Sequence, residues 1–156
     1  MNADSHSIII GLGSPIRRDD RVGIEVARQL HERIGDPEFE FREMAVGGIQ
    51  LMESLIGYDR AIVVDAIQSE SGRVGDCYRI ELEHLSRFPG FSHQFGLTEG
   101  LELGRRLGLH LPERFSIWVI EVSDPFTIDT EMTKEVADAV PAAVETILAA
   151  EFSDGY

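Results

Sequence analysis

Carboxylates and one imidazole stand out in the 156-residue sequence for the chemistry they allow. An aspartate pair, Asp19 and Asp20, follows the turn Gly13-Ser14-Pro15. A third aspartate, Asp65, closes the apolar run Arg60-Ala61-Ile62-Val63-Val64, and His93 lies between Ser92 and a helical stretch that opens at Gln94. Convergent carboxylates repel each other and are tolerated when a cation, a shared proton or an arginine offsets the repulsion. Two carboxylates and one imidazole, leaving open positions, suit a borderline divalent ion such as zinc or nickel and satisfy a hard calcium ion poorly. Helix capping explains one of the adjacent aspartates, and Asp65 also fits a cap for whatever follows its strand. What lifts these residues above that reading is placement, which depends on the elements that carry them.

Ser7 to Leu12 is a short β-branched run bounded by glycine, as expected of a strand buried on both faces of a parallel sheet. Val22, Val26, Ala27, Leu30 and Ile34 then recur at helical spacing, predicting a helix that begins near Asp19 or Asp20. Glu40 to Val46 reads as a more polar strand, broken by Gly47-Gly48 before a short helix through Leu51, Met52, Leu55 and Ile56. Arg60 to Ala66 is a second buried strand, Gly75 to Leu82 an alternating edge strand, and Phe115 to Val122 the last strand. Between them Leu97, Leu101, Gly104 and Leu107 stripe a helix over Gln94 to Gly108. The closing helix runs from Glu131 to Ala150, with a kink or break expected at Pro141 and a fraying tail from Glu151.

This alternation predicts an α/β fold: a three-layer αβα sandwich around a mostly parallel twisted sheet of about five strands, in one domain over residues 1–156. In such folds the functional crevice lies outside the carboxyl ends of the strands, where the aspartates are expected.

Composition narrows the partners. Twenty-eight acidic against fourteen basic residues leave a net charge of −14, which repels nucleic acid and anionic lipid. No run is long and apolar enough for a membrane span, and the start lacks a signal-peptide pattern, so a cytoplasmic protein is expected. Cys77 is the single cysteine, so any metal must use carboxylates and histidines.

Other features weigh less. Gly11-Leu12-Gly13 is a partial dinucleotide fingerprint, but Ile16 stands where the third glycine belongs and Pro15 removes a phosphate-cradling donor. Ser14 has no triad company, and Cys77 falls in mid-strand, away from an activating helix N-terminus. The histidines at 6, 31, 84 and 110 read as surface residues. Arg17 and Arg18 either balance local charge or meet a partner carboxylate or polypeptide terminus through their guanidinium forks.

The stretch Ile8-Ile9-Ile10-Gly11-Leu12-Gly13-Ser14-Pro15-Ile16-Arg17-Arg18-Asp19-Asp20-Arg21-Val22-Gly23 resembles the opening of the hydrogenase maturation proteases, nickel-dependent endopeptidases that trim the large subunit of nickel-iron hydrogenases. Gly47-Gly48, Val63-Val64-Asp65-Ala66, Ser92-His93-Gln94 with Gly96-Leu97, and the Ile120 to Val136 region continue the resemblance in order, across nearly the whole chain. Ser14 departs from the asparagine common at that position, and aspartate at position 20 is a familiar alternative to glutamate.

The resemblance implies an α/β sandwich in which Asp20, Asp65 and His93 bind the metal and carry out catalysis. It implies as partner a hydrogenase large-subunit precursor with nickel already installed, from which a short C-terminal extension is cut. The nickel is borne by the substrate and serves as the recognition element, zinc or cadmium being able to replace it in a crystal. It polarises the carbonyl or activates water, or else one carboxylate acts as general base. A monomer is expected. The competing readings are a non-catalytic metal- or partner-binding protein on the same fold, and a nucleotide-handling enzyme on a similar sheet.

Overall fold

Runs of β-branched residues without polar alternation form strands covered on both sides, and β1 (Ser7–Leu12) and β3 (Arg60–Ile67) are buried at every position. The computed structural model describes residues 5–88 and 96–153. In it these two strands are joined by β2 (Phe39–Met44), β4 (Cys77–Ile80) and β5 (Arg114–Glu121). The five form one sheet in the order β2-β1-β3-β5-β4. β1 runs parallel to β2 and β3, β3 runs parallel to β5, and the edge strand β4 is antiparallel to β5. The mostly parallel sheet and its expected edge strand are both present.

Helices α1 (Val22–Ile34) and α4 (Lys134–Glu151) cover one face, α2 (Gly48–Ser54) and α3 (Leu97–Arg106) the other. On the first face Val26 and Leu30 of α1 and Val140 and Ile147 of α4 pack with Ile9, Ile62, Val64 and Ile120. On the second, Leu51 and Met52 of α2 and Leu97 and Leu101 of α3 pack with Ile8, Ile10, Val63 and Val119. Alternate residues of each strand thus feed the two layers of an αβα sandwich.

α1 is pressed tightly onto the sheet. A Cβ at Gly23 would lie 2.6 Å from the Val64 carbonyl oxygen and 2.8 Å from the Asp65 Cα, so only glycine allows the first turn of α1 to cross β3 here.

Four expectations shift. The first helix begins at Val22, after a short 3-10 helix, Arg18–Arg21, that holds both aspartates. The closing helix begins at Lys134; before it the Glu131 amide donates to the Asp129 carboxylate at 2.9 Å and the Thr133 amide, one residue ahead of the helix, donates to Asp19 at 2.8 Å. It then runs unbroken through Pro141. Pro141 and Ala137, whose carbonyl loses its helical donor, are both exposed, so water can satisfy that carbonyl. The tail is not frayed at its start. Glu151 pairs with Arg60 at 2.8 Å, and Arg60 also lies 4.5 Å from the ring centroid of Phe152.

Candidate active site

The carboxyl end of β1 turns on Gly13. Its φ of 140° and the 2.0 Å that would separate an added Cβ from the Asp20 carbonyl oxygen both require glycine. The Gly13 amide donates to the Met44 carbonyl at the end of β2, at 2.9 Å. The chain then folds back so that the Ser14 amide donates to Asp20 Oδ2 at 2.9 Å. This bond uses backbone, so it does not depend on the side chain at position 14.

Asp65 is fully buried. The ladder between β1 and β3 ends at Gly11 and Val64, so Asp65 is the first β3 residue beyond it, although β3 continues beside β5 with Asp65 opposite Val119. Its Oδ1 accepts the Ala66 amide at 2.8 Å. Asp20 stands one turn before Gly23, which abuts the Asp65 backbone, so both carboxylates belong to the same end of the sheet. His93 lies outside the described residues. The described chain resumes at Gly96, where a Cβ would sit 3.7 Å from the Gly48 Cα at the start of α2, the helix that follows β2, again at this end.

The adjacent aspartates divide their tasks in a way that spacing did not reveal. Asp19 is fully buried, and its carboxylate accepts the amides of Ser123 at 3.2 Å, Asp124 at 2.8 Å and Thr133 at 2.8 Å, as well as the Thr133 hydroxyl. It caps no part of α1 and instead anchors the segment between β5 and α4. Asp20 is half-buried and faces the turn. The arginines divide similarly. Arg18 pairs with Asp124 at 3.5 Å and Asp129 at 2.9 Å, whereas Arg17 is exposed and forms no ion pair among the described residues. Hydrogen bonds from Thr127 and Phe126, with Arg18 nearby, hold the Asp124 carboxyl below its ordinary range.

A third buried carboxylate, Glu121, has no counterpart among the sequence candidates. It accepts the Ser69 hydroxyl at 2.6 Å and the Tyr78 hydroxyl at 2.8 Å, and burial together with this bond pushes the Tyr78 phenol up. These residues line a cavity of about 640 Å³ that also borders Ile67, two positions beyond Asp65 and on the same face of β3. The only signal was a glutamate between Ile120 and Val122 in an apolar strand. Burial pushes the Cys77 thiol up to about 12, which fits an unreactive side chain. Of the histidines read as superficial, His31 is half-buried, stacked on Phe41 and bonded to the Phe39 carbonyl oxygen at 2.8 Å.

Residues 24–150 match the family model of HycI, hydrogenase maturation protease. The chain belongs to the hydrogenase maturation protease family. The matched residues of this family member include Asp65 and His93, and Asp20 lies four positions before them. Among solved structures, the hydrogenase maturating endopeptidase HybD from E. coli superposes with a TM-score of 0.76 at 21% identity, over 96% of this chain and 94% of that one. The [NiFe] hydrogenase maturation protease HybD from Thermococcus kodakarensis gives 0.65 at 23% identity, over 90% and 95%. A hydrogenase 2 maturation peptidase from a Thaumarchaeota archaeon gives 0.65 at 24% identity, over 95% and 99%. At these identities the likeness establishes the fold. Comparison with curated protein sequences gives no match.

Proposed function

We propose that this family member is a cytoplasmic, monomeric endopeptidase that removes the C-terminal extension of a nickel-iron hydrogenase large-subunit precursor after nickel insertion. The observation that carries the reading is the family match over residues 24–150 together with Asp20 and Asp65 at one end of the sheet. The nickel enters as part of the substrate. Asp20, Asp65 and His93 complete its coordination, which fixes the neighbouring peptide bond in one geometry. A donor set of two carboxylates and an imidazole suits a borderline divalent ion. Hydrolysis then adds water across the scissile bond: the carbonyl carbon gains the hydroxyl, the C–N bond breaks, and the departing amine takes a proton. A carboxylate of the site accepts the proton lost by water, with the substrate's nickel assisting by polarising the carbonyl.

The test compares nickel-loaded and nickel-free precursor in a gel-shift processing assay. The wild-type chain should shorten only the loaded form. Asp65→Ala and His93→Ala should abolish shortening while keeping a folded circular dichroism spectrum. Normal processing by both variants would remove these residues from the mechanism, and binding without shortening under any condition would assign a non-catalytic role.

A further inference from the structure

Residues 16–18 and 127–129 form a two-stranded ribbon beside the turn that carries Asp20. Arg17 bridges Ile128 in antiparallel sense, flanked by the Arg18 amide donating to the Thr127 carbonyl and the Asp129 amide donating to the Ile16 carbonyl, both at 3.0 Å. Bridge residues flanked in this way are a closely spaced pair whose side chains share a face, so Arg17 and Ile128 project together. Ile128 is 68% exposed, and Phe126, two residues before it, is 69% exposed.

These side chains are not displayed on a slack loop. The Asp124 carboxylate accepts the amides of Phe126 and Thr127, each at 3.0 Å, Arg18 bridges Asp124 to Asp129, and buried Asp19 holds the Ser123 and Asp124 amides. Apolar side chains fixed outward by such a scaffold cannot turn into the core, and their exposure is relieved only when another surface covers them. Arg17 beside them is a cation without an ion pair among the described residues, in a chain whose net charge is −14.

The geometry points to the Arg17 and Ile128 pair, with exposed Phe126 in the adjoining turn, as the docking surface for the precursor polypeptide. The segment it receives carries an apolar side chain, which covers Phe126 and Ile128, beside a carboxylate, which pairs with the Arg17 fork. This inference rests on the proposed function for the partner's identity and adds where that partner is gripped. The ribbon is continuous with the candidate site, since Arg17 and Asp20 are three residues apart on one turn. A second copy of the chain is a poorer occupant, because it brings another −14 of net charge to the same contact.

The experiment measures binding separately from cleavage. Nickel-loaded precursor retaining its extension is immobilised, and affinities are taken for full-length wild type, Phe126→Ser, Ile128→Ser and Arg17→Glu. Leu107→Ser, which alters an apolar residue 67% exposed just past the end of α3, serves as control. Each ribbon variant should bind about tenfold more weakly, with the control and all thermal midpoints unchanged. Ribbon variants within about twofold of wild type, or a wild type that does not bind, overturn the docking surface. So does a Phe126→Ser variant that dissolves a dimer in sedimentation while keeping its precursor affinity. Weakened binding by the ribbon variants, with no shortening by wild type, sinks the proposed cleavage and leaves the docking surface standing.

Discussion

Asp19 and Thr133 are 114 residues apart in sequence, yet the Asp19 carboxylate accepts both the Thr133 amide, at 2.8 Å, and its hydroxyl, at 2.9 Å. Thr133 immediately precedes α4, so this contact joins the turn holding Asp20 to the start of the closing helix. Removing the buried acceptor leaves several donors unsatisfied. Asp19→Ala should therefore cost roughly 3 kcal/mol of stability and Asp19→Asn less, since the amide oxygen still accepts part of the set. Urea unfolding of both variants checks the order, and equal stability of Asp19→Ala and wild type would contradict it.

The crossing of α1 over β3 gives a second expectation. Because an added methyl at Gly23 meets only backbone, the Val64 and Leu12 carbonyl oxygens and the Asp65 Cα, no side chain can yield to it. Gly23→Ala should cost about 3 kcal/mol or prevent folding, against about 1 kcal/mol for Gly57→Ser, where the built Cβ meets nothing within 4 Å. The Gly57 change does carry strain from its positive φ, so a small loss there is expected. Denaturant midpoints of the two variants measured side by side decide the matter.

Acid should loosen the end of α4. Burial alone pushes the Glu151 carboxyl up, but hydrogen bonds from Ser116 and Trp118 and the Arg60 ion pair outweigh it and hold the group below its ordinary 4.5. A folded value below the unfolded one means that Glu151 contributes stability above the unfolded value, and that this contribution is lost as pH falls through the folded value. Trp118, the single tryptophan, donates to Glu151 at 2.9 Å. Its fluorescence should be flat from neutral pH down to the carboxylate range and change below it. Glu151→Gln should remove that step and cost roughly 3 kcal/mol, because Arg60 loses its buried partner.

Cys77 supplies a chemical check. With its thiol pushed up from 9.0 to about 12, the thiolate fraction at mild alkaline pH falls about a thousandfold. A disulfide reagent should label the folded chain slowly and the urea-unfolded chain at the ordinary rate. Cys77→Ala should keep precursor processing, and rapid labelling of the native protein would contradict the raised thiol of this half-buried side chain.

The layers and the strand pattern were legible because β1 and β3 are apolar at nearly every position and α1 carries an unmixed helical stripe. Asp65 was legible for the same reason, as a charge at the end of a run that otherwise excludes charge. The division of labour within Asp19 and Asp20, and within Arg17 and Arg18, was not, because it is decided by partners between Ser123 and Thr133, more than 100 positions away. The persistence of α4 through Pro141 depends on which side of the helix meets solvent, and the ordering of Glu151 on Arg60 ninety-one positions back. Local propensity carries neither fact.

Asp65 has no surface open to solvent. A polypeptide that reaches this end of the fold therefore touches the turn around half-buried Asp20 before the Asp65 carboxylate, so whatever selects among polypeptides here lies on the rim and not at the enclosed acid.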